Sequence, residues 1–276
     1  RPPYNGEVKD VYTIDDLGNW SEETIRLGVI GDPVAHSLSP QMQNAALRAC
    51  GIPLEYARFE IRPNELAEAL ELFAQREFIG LNVTVPHKAA VMPLMSETYE
   101  PAKSIDAANT AVRSGGRWHG FNTDAQGFSN AIREDFDIAP GELRVLVLGT
   151  GGAARAIAWQ CKAEGCRAVQ TWSRKANPDP RELAREADLI VNATPVGLSR
   201  DDVPLLTRDA FRRGQFVYDT IYNPVRTRLL EEAAAAGAQT ANGLSMLLHQ
   251  GARAFEVWFG QSAPLDPMRA ALRGFA

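Results

Sequence analysis

The chain is poor in cysteine. Its 276 residues contain three, Cys50, Cys161 and Cys166. They form an odd set without the paired spacing of a metal site, so a disulfide framework and a zinc centre are set aside and the thiols read as buried groups in a reducing compartment. No apolar run approaches the ~18 residues a membrane span needs, and no signal peptide is visible. Charge of one sign is missing too: 29 basic and 34 acidic residues leave a net charge of -5 without a basic stripe. That argues against nucleic acid and for a small-molecule partner. The expectation is a cytoplasmic globular protein, either monomer or homodimer. Because the sequence starts at Arg1 and not at a methionine, an upstream tag or fused domain stays open.

Residues 1–24 lack any sustained hydrophobic period and carry Pro2, Pro3, Gly6, Gly18 and Asn19, so they read as an arm with at most one short strand. From Arg26 a pattern sets in: strand Leu27 to Gly31, helix Gln41 to Cys50, strand Leu54 to Ile61, helix Asn64 to Gln75, strand Phe78 to Val85. Strands separated by helices long enough to cross back pair in parallel. A short helix after Pro86 and a hairpin, Ala108 to Arg113 with Arg117 to Phe121 around Gly115-Gly116, come next, then a helix from Asp124 to Asp135.

The alternation then repeats around strand Arg144 to Leu148: helix Ala153 to Glu164, strand Arg167 to Trp172, helix Arg181 to Glu186, strands Asp188 to Ala193 and Gln215 to Thr220, helix Arg226 to Ala236, strand Ala238 to Ala241. Helices Leu244 to Phe259 and Pro264 to Leu272 close the chain. The pattern predicts an α/β protein of two domains. Residues 1–123, completed by 244–276, form a substrate domain with a mainly parallel sheet; residues 124–243 form a Rossmann-like nucleotide domain.

The strand ending at Leu148 breaks at Gly149, Thr150, Gly151 and Gly152 and restarts as an alanine-rich helix at Ala153. Gly149, Gly151 and Ala154 fit G-x-G-x-x-G/A, and such a turn points free backbone N–H groups and a helix dipole at one spot, which suits a pyrophosphate. The next strand ends in Ser173-Arg174-Lys175. An acid there would bind the ribose 2′-hydroxyl of NAD; two cations suit the 2′-phosphate of NADP.

Ligands of open α/β sheets lie beyond the carboxyl ends of the strands. After the first strand stand Ser37 and Ser39; Ser39 followed by Pro40 reads as an N-cap and first helical residue, whereas Ser37 has no such structural reason. After the third comes Asn82-Val83-Thr84-Val85-Pro86-His87-Lys88. Lys88 falls in the first turn of a helix, where a cation costs about 0.3–1 kcal/mol against the dipole, which makes it a candidate acid–base group. In Asn122-Thr123-Asp124-Ala125-Gln126, Thr123 and Gln126 read as a capping box. Asp124 is then ordinary first-turn stabilisation, unless it lies beside Lys88 and holds the ammonium.

Together these stretches resemble the shikimate dehydrogenase family. The likeness rests on Ser37-Leu38-Ser39-Pro40, Asn82 to Lys88, Ala108-Asn109-Thr110, Asn122-Thr123-Asp124, the Gly149 to Ala154 loop, Asn192-Ala193-Thr194-Pro195, Asp219 to Pro224, and Gly243 to Leu247 with Gln250. What it implies is NADPH-dependent reduction of 3-dehydroshikimate to shikimate. Lys88 and Asp124 would be the catalytic pair, Ser37, Ser39, Thr84, Asn109, Tyr222 and Gln250 the substrate contacts. Gly149, Gly151, Gly152, Ala153, Ser173, Arg174, Lys175, Thr194 and Gly243 would face the cofactor. NADP-binding members commonly carry Asn-Arg-Thr where Ser173-Arg174-Lys175 stands; Arg174 is kept. Serine at position 39 resembles shikimate-preferring members. A quinate/shikimate dehydrogenase using NAD, a non-catalytic metabolite sensor and a dehydrogenase of another small substrate are the competing readings.

Overall fold

The computed structural model describes residues 9–175 and 179–275. In chain order the elements are α1 (Ile14–Gly18), β1 (Ile25–Gly31), α2 (Ser39–Ala49), β2 (Glu55–Glu60), α3 (Leu66–Gln75), β3 (Gly80–Val83), α4 (His87–Ala90), β4 (Glu97–Thr98), α5 (Ala102–Ile105), β5 (Thr110–Ser114), β6 (Arg117–Phe121) and α6 (Asp124–Phe136). They continue with β7 (Arg144–Leu148), α7 (Gly152–Ala163), β8 (Ala168–Trp172), α8 (Arg181–Glu186), β9 (Leu189–Asn192), β10 (Phe216–Asp219), α9 (Arg228–Ala235), β11 (Gln239–Ala241), α10 (Leu244–Phe259) and α11 (Leu265–Leu272).

The first sheet runs β2-β1-β3-β5-β6-β4. β1 pairs in parallel with β2 and β3, while β5 is antiparallel to both β3 and β6. The central strands β1 and β3 are buried almost throughout, as parallel strands covered on both faces must be. One face packs Phe59, Phe73, Phe78 and Leu81. On the other, Leu27, Val29 and Met42 meet Leu247, Leu248, Phe255, Met268 and Leu272 from α10 and α11, so the C-terminal helices return to this domain.

The second sheet, β11-β10-β9-β7-β8, is parallel throughout. The chain leaves β7 toward β8 on one side and returns through β9 on the other. The topological switch point therefore lies between β7 and β9, and residues after these strands face a crevice. The first sheet has its own reversal between β1 and β3.

The arm departs from expectation. Residues 14–18 form a helix, Tyr12 makes a β-bridge to Phe59, and Leu17 is fully buried. Burying a leucine is worth ~1.5–3 kcal/mol, so the segment is part of the first core. The short β4 and α5 were likewise not visible in the sequence pattern.

Candidate active site

The strand ends of the two sheets face one another across a cavity of about 380 Å³. Lys88, Asp124, Ser37, Ser39, Thr84, Asn109, Tyr222 and Gln250 all line it, with Ala153, Thr194 and Gly243 at the nucleotide-domain side. Gly149, Gly151, Gly152, Ser173, Arg174 and Lys175 do not line it. A wider depression of about 730 Å³ at Thr207, Arg208, Asp209, Phe211, Glu232 and Ala236 lies away from these motifs.

Lys88 is carried on α4, which begins after the short turn Thr84-Val85-Pro86 that follows β3. His87 fixes that start: its fully buried ring donates from Nε2 to the Ile61 carbonyl at 2.7 Å. Burial pushes the imidazole pKa down, opposed by that hydrogen bond, so His87 anchors the turn as a neutral ring. Its Nδ1 is without a partner among the described residues. Lys88 Nζ donates to Asp124 Oδ2 at 2.6 Å, with 13% and 5% of the two side chains exposed. At such depth the pair is little screened by solvent.

The other Asp124 oxygen is held from behind. Asn109 Nδ2 donates to Asp124 Oδ1 at 2.9 Å and lies 2.9 Å from Thr123 Oγ1 and 3.3 Å from Gln250 Oε1. Asn109 Oδ1 accepts from the Thr123 amide at 2.7 Å. The network reaches back: Asn82 Nδ2 donates to Thr110 Oγ1 at 3.1 Å, and the Tyr56 hydroxyl donates to Asn82 Oδ1 at 2.8 Å. Fixed dipoles of this kind hold a charged pair without reorganising. Tyr56 carried no signal in the sequence beyond its place in a strand; Thr110 stood only in the Ala108-Asn109-Thr110 motif, without a role assigned to it.

Two local readings are corrected. Thr123 is the N-cap of α6 but makes no capping hydrogen bond; Gln126 pairs with Asn130, and Asn122 Oδ1 accepts from the Ala125 amide instead. Ser39 is not the N-cap of α2. It is the first helical residue, 5% exposed, and its hydroxyl hydrogen-bonds with Tyr56, while Ser37 Oγ accepts the Ser39 amide at 3.3 Å. Tyr222 crosses from the second domain. Burial raises its phenol pKa, opposed by hydrogen bonds with the Leu38 backbone and the Ser37 hydroxyl.

In the second domain, Gly149 adopts φ +121, and a Cβ there would stand 2.7 Å from the Ala193 carbonyl oxygen at the end of β9. Only glycine fits this close approach at the switch point. Gly151 caps α7, and a Cβ on it would meet nothing within 4 Å. Open space before the N-terminus of a twelve-residue helix fits a nucleotide pyrophosphate. Arg174 and Lys175 are exposed at the end of β8.

Residues 29–111 match the profile of the shikimate dehydrogenase substrate binding domain, and residues 243–273 that of the shikimate 5'-dehydrogenase C-terminal domain. A shikimate dehydrogenase (NADP(+)) of Methanopyrus kandleri is 43% identical, covering 91% of this chain and 95% of that protein. The chain belongs to the shikimate dehydrogenase family. Two solved members resemble it in three dimensions. That of Aquifex aeolicus has a TM-score of 0.84 at 36% identity, covering 91% of this chain and 97% of its own. That of Thermus thermophilus, in complex with NADP(H) and shikimate, has a TM-score of 0.83 at 36% identity, covering 91% and 100%. Among the described residues no cluster suits a metal ion and no helix is long and apolar enough to cross a membrane.

Proposed function

We propose that this member of the family catalyses the reversible, NADPH-dependent reduction of 3-dehydroshikimate to shikimate. The observation that carries the reading is the Lys88–Asp124 pair, 2.6 Å apart, in a cavity shared by both domains. The domains divide at residues 123 and 243, with the helices of 244–275 returning to the first. The three cysteines are free thiols, in keeping with a cytoplasmic enzyme.

Gly149, Gly151 and Gly152, with Ala153, Thr194 and Gly243, would hold the dinucleotide, and Ser173, Arg174 and Lys175 its 2′-phosphate. When bound, NADP(H) supplies or takes up the hydride. Lys88, as ammonium, donates a proton from Nζ to the oxygen of the reacting carbonyl; in the reverse direction its amine takes the hydroxyl proton. Asp124 holds Nζ through Oδ2 while Asn109 fixes Oδ1, so the carboxylate cannot swing away. General acid assistance of this type is worth about 10²–10⁴ in rate. Ser37 and Ser39 would bind the carboxylate end of the ring, with Thr84, Tyr222 and Gln250 on its hydroxyls.

Shikimate oxidation by the purified protein, followed through nicotinamide absorbance, tests the reaction. Turnover with NADP+ that collapses in Lys88→Ala supports it; turnover unchanged in that variant removes Lys88 from the chemistry.

A further inference from the structure

β2 carries an arginine with no role in the reaction described above. Arg58 lies behind the Ser37–Ser39 turn, its side chain 11% exposed. Its Nε donates to the Ser37 carbonyl at 2.9 Å, and one terminal nitrogen reaches Gln41 Oε1 at 3.1 Å. The other lies 3.4 Å from the Asp10 carbonyl and 4.0 Å from the Asp10 carboxylate. That carboxylate is fully exposed, so solvent weakens the pairing. A guanidinium so placed keeps much of its field on the protein side, toward the serine hydroxyls and the two phenols beside them. Burial pushes the Tyr56 and Tyr222 phenol pKa values up, and the nearby Arg58 charge works the other way at both.

A neutral turn does not need a cation behind it. Backbone and neutral donors satisfy a serine carbonyl at lower desolvation cost than a buried guanidinium. A cation there is favoured when the front of the turn receives an anion, because a low-dielectric wall strengthens attraction across it.

We propose that Arg58 is a specificity-determining residue: without touching the ligand, it selects a ring bearing a carboxylate by holding positive charge directly behind the serine turn. The inference rests on the reading that Ser37 and Ser39 receive the carboxylate end of shikimate.

Two variants separate charge from scaffolding. Arg58→Met removes the charge and the hydrogen bonds; Arg58→Lys keeps the charge and loses the fork. Isothermal titration of shikimate and of its neutral methyl ester into each protein reads the effect. Arg58→Met weakens shikimate by about three- to tenfold, the scale of one partly screened charge interaction, leaves the ester unchanged, and has a correspondingly smaller salt dependence. Arg58→Lys stays near wild type for both. Equal weakening of acid and ester would make Arg58 a purely structural brace and overturn the proposal, as would no change in either. A wild-type protein that binds ester and acid equally well would overturn both the carboxylate assignment of the serines and the role of Arg58. A preference of wild type for the acid that survives in Arg58→Met would overturn the role of Arg58 alone.

Discussion

The stem of Lys88 lies against Gly152: a Cβ on this glycine would stand 2.9 Å from Lys88 Cβ and 3.1 Å from its Cδ. The glycine loop of the nucleotide domain thus forms one wall of the lysine's seat. Gly152 opens α7 with a φ that alanine can also adopt. Gly152→Ala should therefore leave α7 helical and displace Lys88. The expected outcome is kcat lowered at least about tenfold, whether or not the KM for NADPH also rises through the cofactor loop. A rise in that KM at constant kcat would place the effect in the cofactor loop instead.

Lys88→Ala removes the proposed proton donor and leaves Asp124 buried beside Asn109. Turnover is expected to fall by about 10²–10⁴, with shikimate affinity nearly unchanged. Steady-state kinetics alongside a binding titration would check both halves, and equal loss of affinity and rate would instead make Lys88 a binding group.

Arg174 stands exposed at the end of β8. Arg174→Ser should raise the KM for NADPH by about tenfold or more, the scale of a lost charge-assisted hydrogen bond, while that for NADH moves little. Parallel rises for both cofactors would remove the 2′-phosphate from this position.

Asp219 is buried in the second domain, accepting from Asn192 Nδ2 at 2.9 Å, the Ile221 amide at 3.1 Å and Thr227 Oγ1 at 2.7 Å. Burial raises its pKa to about 6 despite those hydrogen bonds. A folded-state pKa above the unfolded value means that the folded protein binds the proton more tightly. The contribution to stability is therefore complete below about pH 4 and is lost as pH rises to about 6. Asp219→Asn keeps the acceptors at Oδ1 and removes the titration. Relative to this variant, the wild type should lose roughly 2–3 kcal/mol between pH 4 and 7, measured by denaturant unfolding at each pH. A constant difference would show that Asp219 stays ionised throughout.

How far these features were legible depended on how local they are. The sixteen-residue helix Leu244–Phe259 has the bounds its periodicity indicates, because one apolar face repeats along a single segment. The five-residue α1 is too short to show a period, and Leu17 is buried only by tertiary contact. Ser39-Pro40 and Thr123-x-x-Gln126 match capping patterns, yet Ser39 turns to Tyr56 and Thr123 to Asn109. Those partners are distant in sequence and brought near only by sheet pairing. Asn109 itself is placed by the register that sets Asn82 opposite Thr110, which no local pattern encodes. Lys88 and Asp124 could be singled out one at a time from strand ends and helix starts; their 2.6 Å contact depends on how α4 and α6 meet.

The most direct test of the central claim is a four-way assay of the wild-type protein, shikimate and quinate each with NADP+ and with NAD+. Shikimate with NADP+ is expected to give the highest kcat/KM of the four. Preference for quinate with NAD+, or stabilisation by shikimate without turnover in any combination, would contradict it.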